Sequence, residues 1–299
     1  METMVAVRLH APAGAAALAL DQIAIPEPGP TEALVRVHAA AITRGELEWP
    51  TDRLPAIPSY ELSGTIAALG GAVAGLAAGD EVWALTSFDR DGVAAEYALV
   101  ASGLLAAKPT TVSHIEAAAI PLPALSAWQG LFDRGRLRFD ERVLIHGAAG
   151  GVGQFATQLA HWCGAYVVGT TSGDPEHVRA LGADQVVDRR AAGVDPVDLV
   201  FDTVGGDALA RSGALIREGG RIVSVAEEPP AELSEDLDAR YFVVEPNGDQ
   251  LSELARLVDE GTLRPLVDSV FSLAEATKAF ERVAAPGKRG KVVLRVVRD

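Results

Sequence analysis

The amino-acid sequence predicts an α/β protein of two domains, a barrel-like β domain and a doubly wound parallel sheet. Its 299 residues suffice for two domains, and a hydrophobic fraction of 48% supplies ample core. The first third alternates apolar and polar residues, which indicates β-strands. From about His114, short apolar runs alternate with helical patterns, which indicates a parallel sheet with connecting helices.

Six β-strands are predicted in the first third, because six segments carry alternating or β-branched apolar residues between Pro, Gly and Asp clusters. They are VAVRLH, LALDQIAIP, ALVRVHAAAI, LSGTIAALG, DEVWALT and AAEYALV. The following segment, HIEAAAIPLPALSAWQGLFDRG, has a helical spacing of apolar residues, which Pro121 and Pro123 would divide into two helices.

The second part of the chain predicts parallel strands and helices in alternation. The strands are RVLIHG, AYVVGTT, DQVVD, DLVFDTVGG and RIVSVA, and the helices are QFATQLAHWCG, PEHVRALG, ALARSGALIREGG and QLSELARLVDEG. The linker RRAAGVDP is too short for a full helix. The last segment, residues 263–297, predicts a strand, a helix and a strand that return to the first domain.

Composition and charge argue against several classes of partner. A net charge of −15 and a pI near 4.8 disfavour nucleic acid and anionic membrane surfaces, which attract clustered Lys and Arg. The single cysteine, Cys163, excludes an intramolecular disulfide and fits a cytoplasmic location. No stretch approaches the ~20 strongly apolar residues of a membrane span. We therefore expect a cytoplasmic protein that acts on a small molecule.

The stretch HGAAGGVGQFATQLA lies directly after a predicted strand and opens a predicted helix. A glycine-rich turn in that position lets the backbone approach a pyrophosphate, and the helix N-terminus supplies N–H groups for it. Packing alone can also require such a turn, but the strand before it and the helix after it favour a dinucleotide site. Alanine replaces the first glycine of the G-x-G-x-x-G pattern. The candidate cofactor-binding residues of this turn are Ala148, Ala149, Gly150, Gly151, Val152 and Gly153.

The end of the next strand bears on which dinucleotide is bound. NAD sites usually carry Asp or Glu there, whereas this strand ends in Thr170, Thr171 and Ser172. Hydroxyl groups can donate to a 2′-phosphate that a carboxylate would repel, so the sequence points to NADPH. Asp174 is the main objection, and Arg189 is the preferred source of positive charge.

The glycine stretch, together with ALSAWQGLF, LGADQVVD, VFDTVGG and the closing RGKVVL, resembles the zinc-independent quinone oxidoreductase branch of the medium-chain dehydrogenase/reductase superfamily. The resemblance covers essentially the whole chain. It implies a GroES-like barrel catalytic domain of residues 1–113 completed by 264–299, and a Rossmann NADP(H)-binding domain of residues 114–263. It also implies an active site in the cleft between the domains, NADPH as hydride donor, and a homodimer joined through the edges of the Rossmann sheets.

The resemblance further implies the rest of the cofactor site. It places backbone at Val204 and Gly205 close to the cofactor, and Ser126, Ser224, Val225 and Phe242 towards its nicotinamide half. Lys291 matches a basic family position near the cleft.

The zinc ligands of related enzymes are absent at the matching positions. Thr43 stands where those enzymes have a cysteine, Tyr60 stands where they have a histidine, and Glu61 is left alone. Zinc needs three or four converging Cys, His or carboxylate ligands, so we expect no catalytic metal.

Without a metal, the resemblance implies hydride transfer to a quinone or to a C=C bond conjugated with a carbonyl. The candidate catalytic residues are Thr43, Glu46 and Tyr60, with Trp49 as a further lining residue. Relatives often have Asn-Pro-x-Asp where this chain has residues 43–46, which leaves the substrate open.

Two other functions stay open on the sequence alone. The first is an NADPH-binding sensor or accessory protein of the same fold with little turnover. The second is a methyltransferase-like binder of another adenine nucleotide, although the strands before and after the glycine domain make that fold awkward.

Overall fold

The computed structural model describes residues 2–49, 53–191 and 193–297 and contains two compact units. One unit comprises residues 1–122 and 246–299, and the other comprises residues 123–245. Within the described part of the chain, no helix is both long and apolar enough to cross a bilayer.

The first unit is built mainly of β-strands, as the alternating pattern predicts. Its first seven strands are β1 (Thr3–Leu9), β2 (Leu18–Ala24), β3 (Glu32–Ile42), β4 (Glu61–Leu69), β5 (Glu81–Leu85), β6 (Tyr97–Ala101) and β7 (Ala106–Ala107). Two further strands come from the end of the chain and are numbered β14 (Val267–Ser272) and β15 (Lys291–Arg295), because the strands of the second unit precede them in the sequence. Its helices are α1 (His114–Ala118), α7 (Gly248–Asp259) and α8 (Ala276–Ala284).

Strand β3 is the centre of the larger sheet of this unit. Along one side it pairs antiparallel with β4, and on the other side it pairs first with β6 and then with β15. The last strand of the chain therefore completes a sheet begun by the first third, as expected. The core between these strands is aliphatic, with Leu62, Ile66 and Val292 almost fully buried.

The boundaries between the units differ from the expected ones at 113/114 and 263/264. Residues 114–122 and 246–263 belong to the first unit. The reason is packing: α1 contacts β3 and β4, and α7 contacts β7. Helical periodicity alone could not assign these helices, because it does not indicate which sheet they cover.

The second unit is a six-stranded parallel sheet in the order β10-β9-β8-β11-β12-β13. The strands are β8 (Arg142–His146), β9 (Tyr166–Thr170), β10 (Gln185–Val187), β11 (Val197–Asp202), β12 (Ile216–Ser224) and β13 (Asp238–Tyr241). The helices are α2 (Pro121–Trp128), whose first two residues belong to the first unit, α3 (Gly151–Trp162), α4 (Pro175–Ala180), α5 (Gly206–Ala210) and α6 (Ala231–Asp236). This Rossmann sheet and the GroES-like unit confirm the expected fold class. The outer strands are β10 and β13, and the homodimer expected through a sheet edge stays a prediction.

The helix predicted over ALARSGALIREGG is wrong in its second half. Only α5 and a short 3₁₀ turn at Ser212–Leu215 are helical, and β12 begins at Ile216. The register of β12 against β11 shifts between Val197 and Leu199, and Gly219 adopts φ +75° there. A β-bulge thus lets a segment with helical periodicity join the sheet. Helix α6 and strand β13 were not predicted.

The two prolines after α1 act as expected. Helix α1 ends before Ile120, and Pro121 begins α2. Proline is tolerated there because its missing N–H falls in the first turn, where helical N–H groups have no partner. The peptide N–H of Leu122 instead becomes available to the side chain of Glu61.

Candidate active site

The glycine turn between β8 and α3 lies at the carboxyl edge of the parallel sheet. Gly147 has φ +73°, and its N–H donates to the Thr170 hydroxyl at 3.1 Å. The next N–H, of Ala148, donates to the Thr170 carbonyl at 3.0 Å. The positive φ therefore falls at Gly147, which explains why Ala148 can replace the first glycine of the pattern.

The first turn of α3 is open to a ligand. The N-cap is Gly150, which has no side chain to accept from the helix. A Cβ atom at Gly151 would meet nothing within 4 Å, whereas one at Gly153 would overlap the Gly147 carbonyl. The helix N-terminus thus presents unpaired N–H groups and partial positive charge to open space, which suits a pyrophosphate. Ala149 and Val152 are half-buried in the same turn.

The strand ends beside this turn carry the residues expected to select the dinucleotide. Thr170 is 3% exposed, and its hydroxyl is used by the turn. Thr171 accepts from the Gly173 N–H at 3.0 Å, while Ser172 is exposed. Arg189 is also exposed, two residues after Val187, which pairs with Thr170. The structure thus gives Thr170 a structural role and leaves Ser172 and Arg189 accessible.

Asp174 lies at the start of α4. Its carboxylate accepts from the Glu176 N–H at 3.0 Å and caps α4. This bond occupies one oxygen of the carboxylate as a helix cap, and the preference for NADPH over NADH stays a prediction.

Asp202, at the end of β11, fixes the turn that follows this strand. Its fully buried carboxylate accepts from the N–H groups of Val204 and Gly205 at 3.0–3.2 Å and from the Ser224 hydroxyl at 2.8 Å. Gly205 has φ +75°, a conformation that favours glycine. Gly205 and Ser224 were predicted as cofactor contacts from the sequence, whereas Asp202 was considered only as a cap of the following helix. Its position at the end of a buried strand was the available signal.

The other residues predicted to bind the cofactor differ in how far their side chains are exposed to solvent. Val204 is 58% exposed and lies beside the glycine turn, since a Cβ added to Gly147 would contact its Cγ2 atom at 2.8 Å. Val225 is half-buried. Phe242 is buried under the Arg134 guanidinium, which lies 5.9 Å from its ring centroid. Ser126 is 3% exposed on α2. Phe242 and Ser126 are thus less accessible than Val204.

In the first unit, Thr43 and Glu46 belong to one buried polar cluster. The Glu46 carboxylate accepts from the Thr43 N–H at 2.9 Å, from the Ser59 N–H at 3.1 Å and from the Ser59 hydroxyl at 3.4 Å. Burial raises the pKa of Glu46 to about 8, against the opposing effect of these hydrogen bonds and of the Lys291 charge. Glu46 is therefore largely neutral near pH 7.

The centre of this cluster is an ion pair that the sequence did not predict. The Lys291 ammonium bonds to the Glu61 carboxylate and to the Thr43 hydroxyl, the latter at 3.1 Å. Glu61 also accepts from Thr43 Oγ1 at 3.2 Å and from the Leu122 N–H at 2.9 Å. Glu61 is thus engaged by three groups instead of being left alone. Lys291 lies in the first unit, and the cofactor contact expected of it stays a prediction.

Trp49 and Tyr60 are close in sequence to members of this cluster, and both rings contact Phe88. Trp49 stacks on Tyr60 with ring centroids 5.7 Å apart, and Phe88 contacts both rings edge-on at 5.3 and 5.2 Å. Burial and the Glu46 charge raise the pKa of Tyr60, so its phenol stays protonated at neutral pH. Phe88 was missed, because no motif marks an isolated phenylalanine in a loop.

The residues at the positions of the zinc ligands do not fit zinc. Thr43 offers a hydroxyl in place of a thiolate, and the Glu61 carboxylate is neutralised by Lys291. Among residues 2–49, 53–191 and 193–297, no group of three or more His, Cys, Asp or Glu side chains is placed to hold a metal ion.

Comparison with known proteins identifies the family. The model of the alcohol dehydrogenase GroES-like domain matches residues 29–110, and that of the zinc-binding dehydrogenase matches residues 181–294. A probable zinc-binding oxidoreductase, mitochondrial, of Arthroderma benhamiae is 34% identical over 304 residues, covering 91% of this chain and 92% of the relative. An NADPH-dependent alkenal/one oxidoreductase, chloroplastic, of Arabidopsis thaliana is 33% identical over 298 residues, covering 92% of this chain and 74% of the relative.

Among solved structures, the quinone oxidoreductase from Coxiella burnetii superposes with a TM-score of 0.92 at 30% identity, over 99% of this chain and all of that one. The chain belongs to the medium-chain dehydrogenase/reductase superfamily, in its quinone oxidoreductase-like branch. The resemblance inferred from the motifs is confirmed, and the protein is an oxidoreductase with a nicotinamide-type cofactor domain.

The raised pKa of Glu46 predicts how stability depends on pH. Between about pH 4.5 and 8 the folded state holds a proton that the unfolded state releases. The free energy of unfolding should therefore fall as pH rises through this window, by up to about 1.4 kcal/mol per unit. Urea denaturation at pH 5, 7 and 9 measures this, and Glu46→Gln should flatten the slope. An equal slope in wild type and variant would contradict the buried neutral acid.

The contacts of Asp202 predict a joint loss of stability and cofactor binding. Asp202→Asn removes one acceptor from the Val204–Gly205 turn and should cost roughly 1–3 kcal/mol of unfolding free energy. Ser224→Ala removes a hydroxyl that donates to this carboxylate and accepts from the N–H groups of Ala226 and Glu227, so it should also lower the free energy of unfolding. Urea denaturation and calorimetric titration with NADPH measure both effects. Unaltered NADPH affinity in a folded Asp202→Asn protein would show that this turn does not touch the cofactor.

Proposed function

We propose that the protein is an NADPH-dependent, metal-independent reductase that transfers hydride to a quinone or to an α,β-unsaturated carbonyl compound. The observation that carries this proposal is the open N-terminus of α3 above the positive-φ turn at Gly147. The bound nicotinamide would supply the hydride. The residues of this chain bind it, exclude water and stabilise the charge that the acceptor develops.

The preference for NADPH is supported by the charges at the ends of β9 and β10. Ser172 and Arg189 are exposed there. Asp174 and Asp188, the nearby carboxylates, each accept from a backbone N–H within their own turn. A 2′-phosphate would therefore meet a hydroxyl and a guanidinium without an opposing acid directed at it.

The acceptor class is supported by the chemistry of the first unit. Hydride addition to a conjugated carbonyl or a quinone leaves negative charge on an oxygen, which needs hydrogen-bond donors. The Thr43 hydroxyl, the Lys291 ammonium and the Tyr60 phenol are donors of this kind, and the rings of Trp49 and Phe88 suit a flat conjugated molecule. The alkenal/one and quinone oxidoreductases among the similar proteins act in the same chemical range by their names.

The reaction is proposed to proceed without zinc, because the donor set described above does not fit a metal. The proposed partner is a small-molecule acceptor. Neither nucleic acid nor membrane is proposed, given the net charge of −15.

Turnover with a panel of acceptors tests the proposed function. NADPH oxidation would be followed at 340 nm with para-quinones, linear alkenals, cyclic enones and, as a control class, simple ketones and aldehydes. The expected result is reduction of at least one quinone or enone with no stimulation by added zinc. Tight NADPH binding without turnover of any acceptor would favour the sensor or accessory function.

The role of Arg189 predicts a difference between the two cofactors. Arg189→Ala should weaken NADPH binding about tenfold, equivalent to ~1.4 kcal/mol, and leave NADH binding unchanged. Arg179→Ala is the matched control, because Arg179 pairs with Glu176 on the surface of α4. Calorimetric titration of all three proteins with both cofactors measures this. Equal losses for NADPH and NADH would place Arg189 away from the 2′-phosphate.

A further inference from the structure

Lys291 is a buried cation at the start of the last strand. It is 5% exposed, and its partner Glu61 is fully buried. An ammonium group has three N–H donors, and the bonds of Lys291 to described residues go to two acceptors, Glu61 and Thr43. Burying a charge is costly even when it is paired, so a buried Lys–Glu pair is not explained by stability alone.

Of the three bonded side chains, Thr43, Lys291 and Glu61, that of Thr43 is the most exposed to solvent. It is half-buried, whereas Lys291 and Glu61 are both buried. Its hydroxyl accepts from Lys291 at 3.1 Å and donates to Glu61 at 3.2 Å. A hydroxyl held in this way can turn its proton towards an outside acceptor while it stays bonded to the ammonium behind it.

We propose that Thr43 and Lys291 form a proton relay to the oxygen of the hydride acceptor, with Glu61 as the positioning residue that holds the ammonium. This inference rests on the proposed function and assigns its proton donor.

The hydride brings two electrons to the acceptor, and the negative charge develops on its oxygen. The O–H bond of Thr43 breaks as the O–H bond of the reduced product forms. An N–H bond of Lys291 then breaks and restores the Thr43 hydroxyl. The neutral Lys291 amine takes one proton from water, so each turnover consumes one hydride and one solvent proton.

Other titratable groups near Lys291 are less suited to this donation. Both carboxyl oxygens of Glu46 already accept from backbone N–H groups. These bonds hold the carboxyl group inside the cluster, where it is poorly placed to donate a proton to the acceptor. Lys288 lies close enough for its pKa to be lowered by burial and then by the charge of Lys291, but its Nζ donates to the Gly290 carbonyl. Tyr60 packs between Trp49 and Phe88 and is a second oxyanion donor at most.

The first test compares Thr43→Val, which keeps the shape of the side chain but has no hydroxyl, with Thr43→Ser, which keeps the hydroxyl. Thr43→Val should lower kcat at least tenfold and alter the solvent deuterium isotope effect on kcat, with little change in NADPH affinity. Thr43→Ser should retain most of the rate. Thr65→Val is the matched control, because Thr65 bonds to His38 and not to the cluster.

The second test removes the ion pair without leaving a buried charge. Glu61→Gln combined with Lys291→Met should fold, shown by its circular dichroism and NADPH binding, and should lose kcat to the same extent as Thr43→Val. Adding Thr43→Val to this pair should cause little further loss, because members of one relay are not additive. Independent, multiplicative losses would overturn the relay.

A third measurement needs no turnover. 4-Nitrophenol carries an oxygen that ionises with a change in absorbance, and the relay should favour its phenolate form on the wild-type protein. The apparent pKa of the bound phenol should fall on wild type and return towards its free value on Thr43→Val. No fall on wild type, or an equal fall on the variant, would overturn the proposal.

The outcomes separate this inference from the function on which it rests. A wild-type protein that reduces no acceptor contradicts the proposed function. A wild-type protein that turns over normally, with unchanged kcat and isotope effect in Thr43→Val, contradicts the relay alone.

Discussion

The ion pair between Lys291 and Glu61 is the contact at which four elements of the first unit meet. Each charge on its own would be strongly destabilising in this interior, since neither side chain is more than a few per cent exposed. The pair also recruits the Thr43 hydroxyl and the Leu122 N–H, so β15, the end of β3, the start of β4 and the first turn of α2 meet at one point. Removing either charge would therefore disturb strand pairing and the polar cluster together.

The second unit is organised by a different constraint, the register of its parallel strands. Asp202 is level with His146 on one side and with Ser224 on the other, and Val187 is level with Thr170. Polar groups at the ends of four strands therefore reach the same edge, where the strand order reverses between β8 and β11. The alignment of the strands therefore brings the turn at Gly147 and the turn at Gly205 to the same edge of the sheet.

Local patterns predicted much of this fold, because the signals were strong and short-range. Alternation identified the six strands of the first third, and the glycine stretch located the turn before α3. The segment from Ile216 to Gly220 was assigned to a helix because its periodicity fits one, and only pairing with β11 across a bulge makes it a strand.

Long-range contacts were the main limit of prediction from the sequence, since Glu61 and Lys291 are separated by 230 positions. Glu61 therefore seemed isolated in the sequence, and its bond to Lys291 was not predicted. Thr170 ends β9, as the strand pattern predicts, but its burial and its bond to Gly147 depend on packing that this pattern does not contain.

The contribution of β15 to the sheet of the first third has a consequence for the order in which the chain can fold. Residues 123–245 are continuous and contain all six strands of their sheet, so this unit can form as soon as it leaves the ribosome. The first unit cannot do so, because β3 has no β15 and Glu61 has no counter-ion until residue 291 has been synthesised. During synthesis, the nucleotide-binding half of this oxidoreductase is therefore native before the half that carries its buried polar cluster.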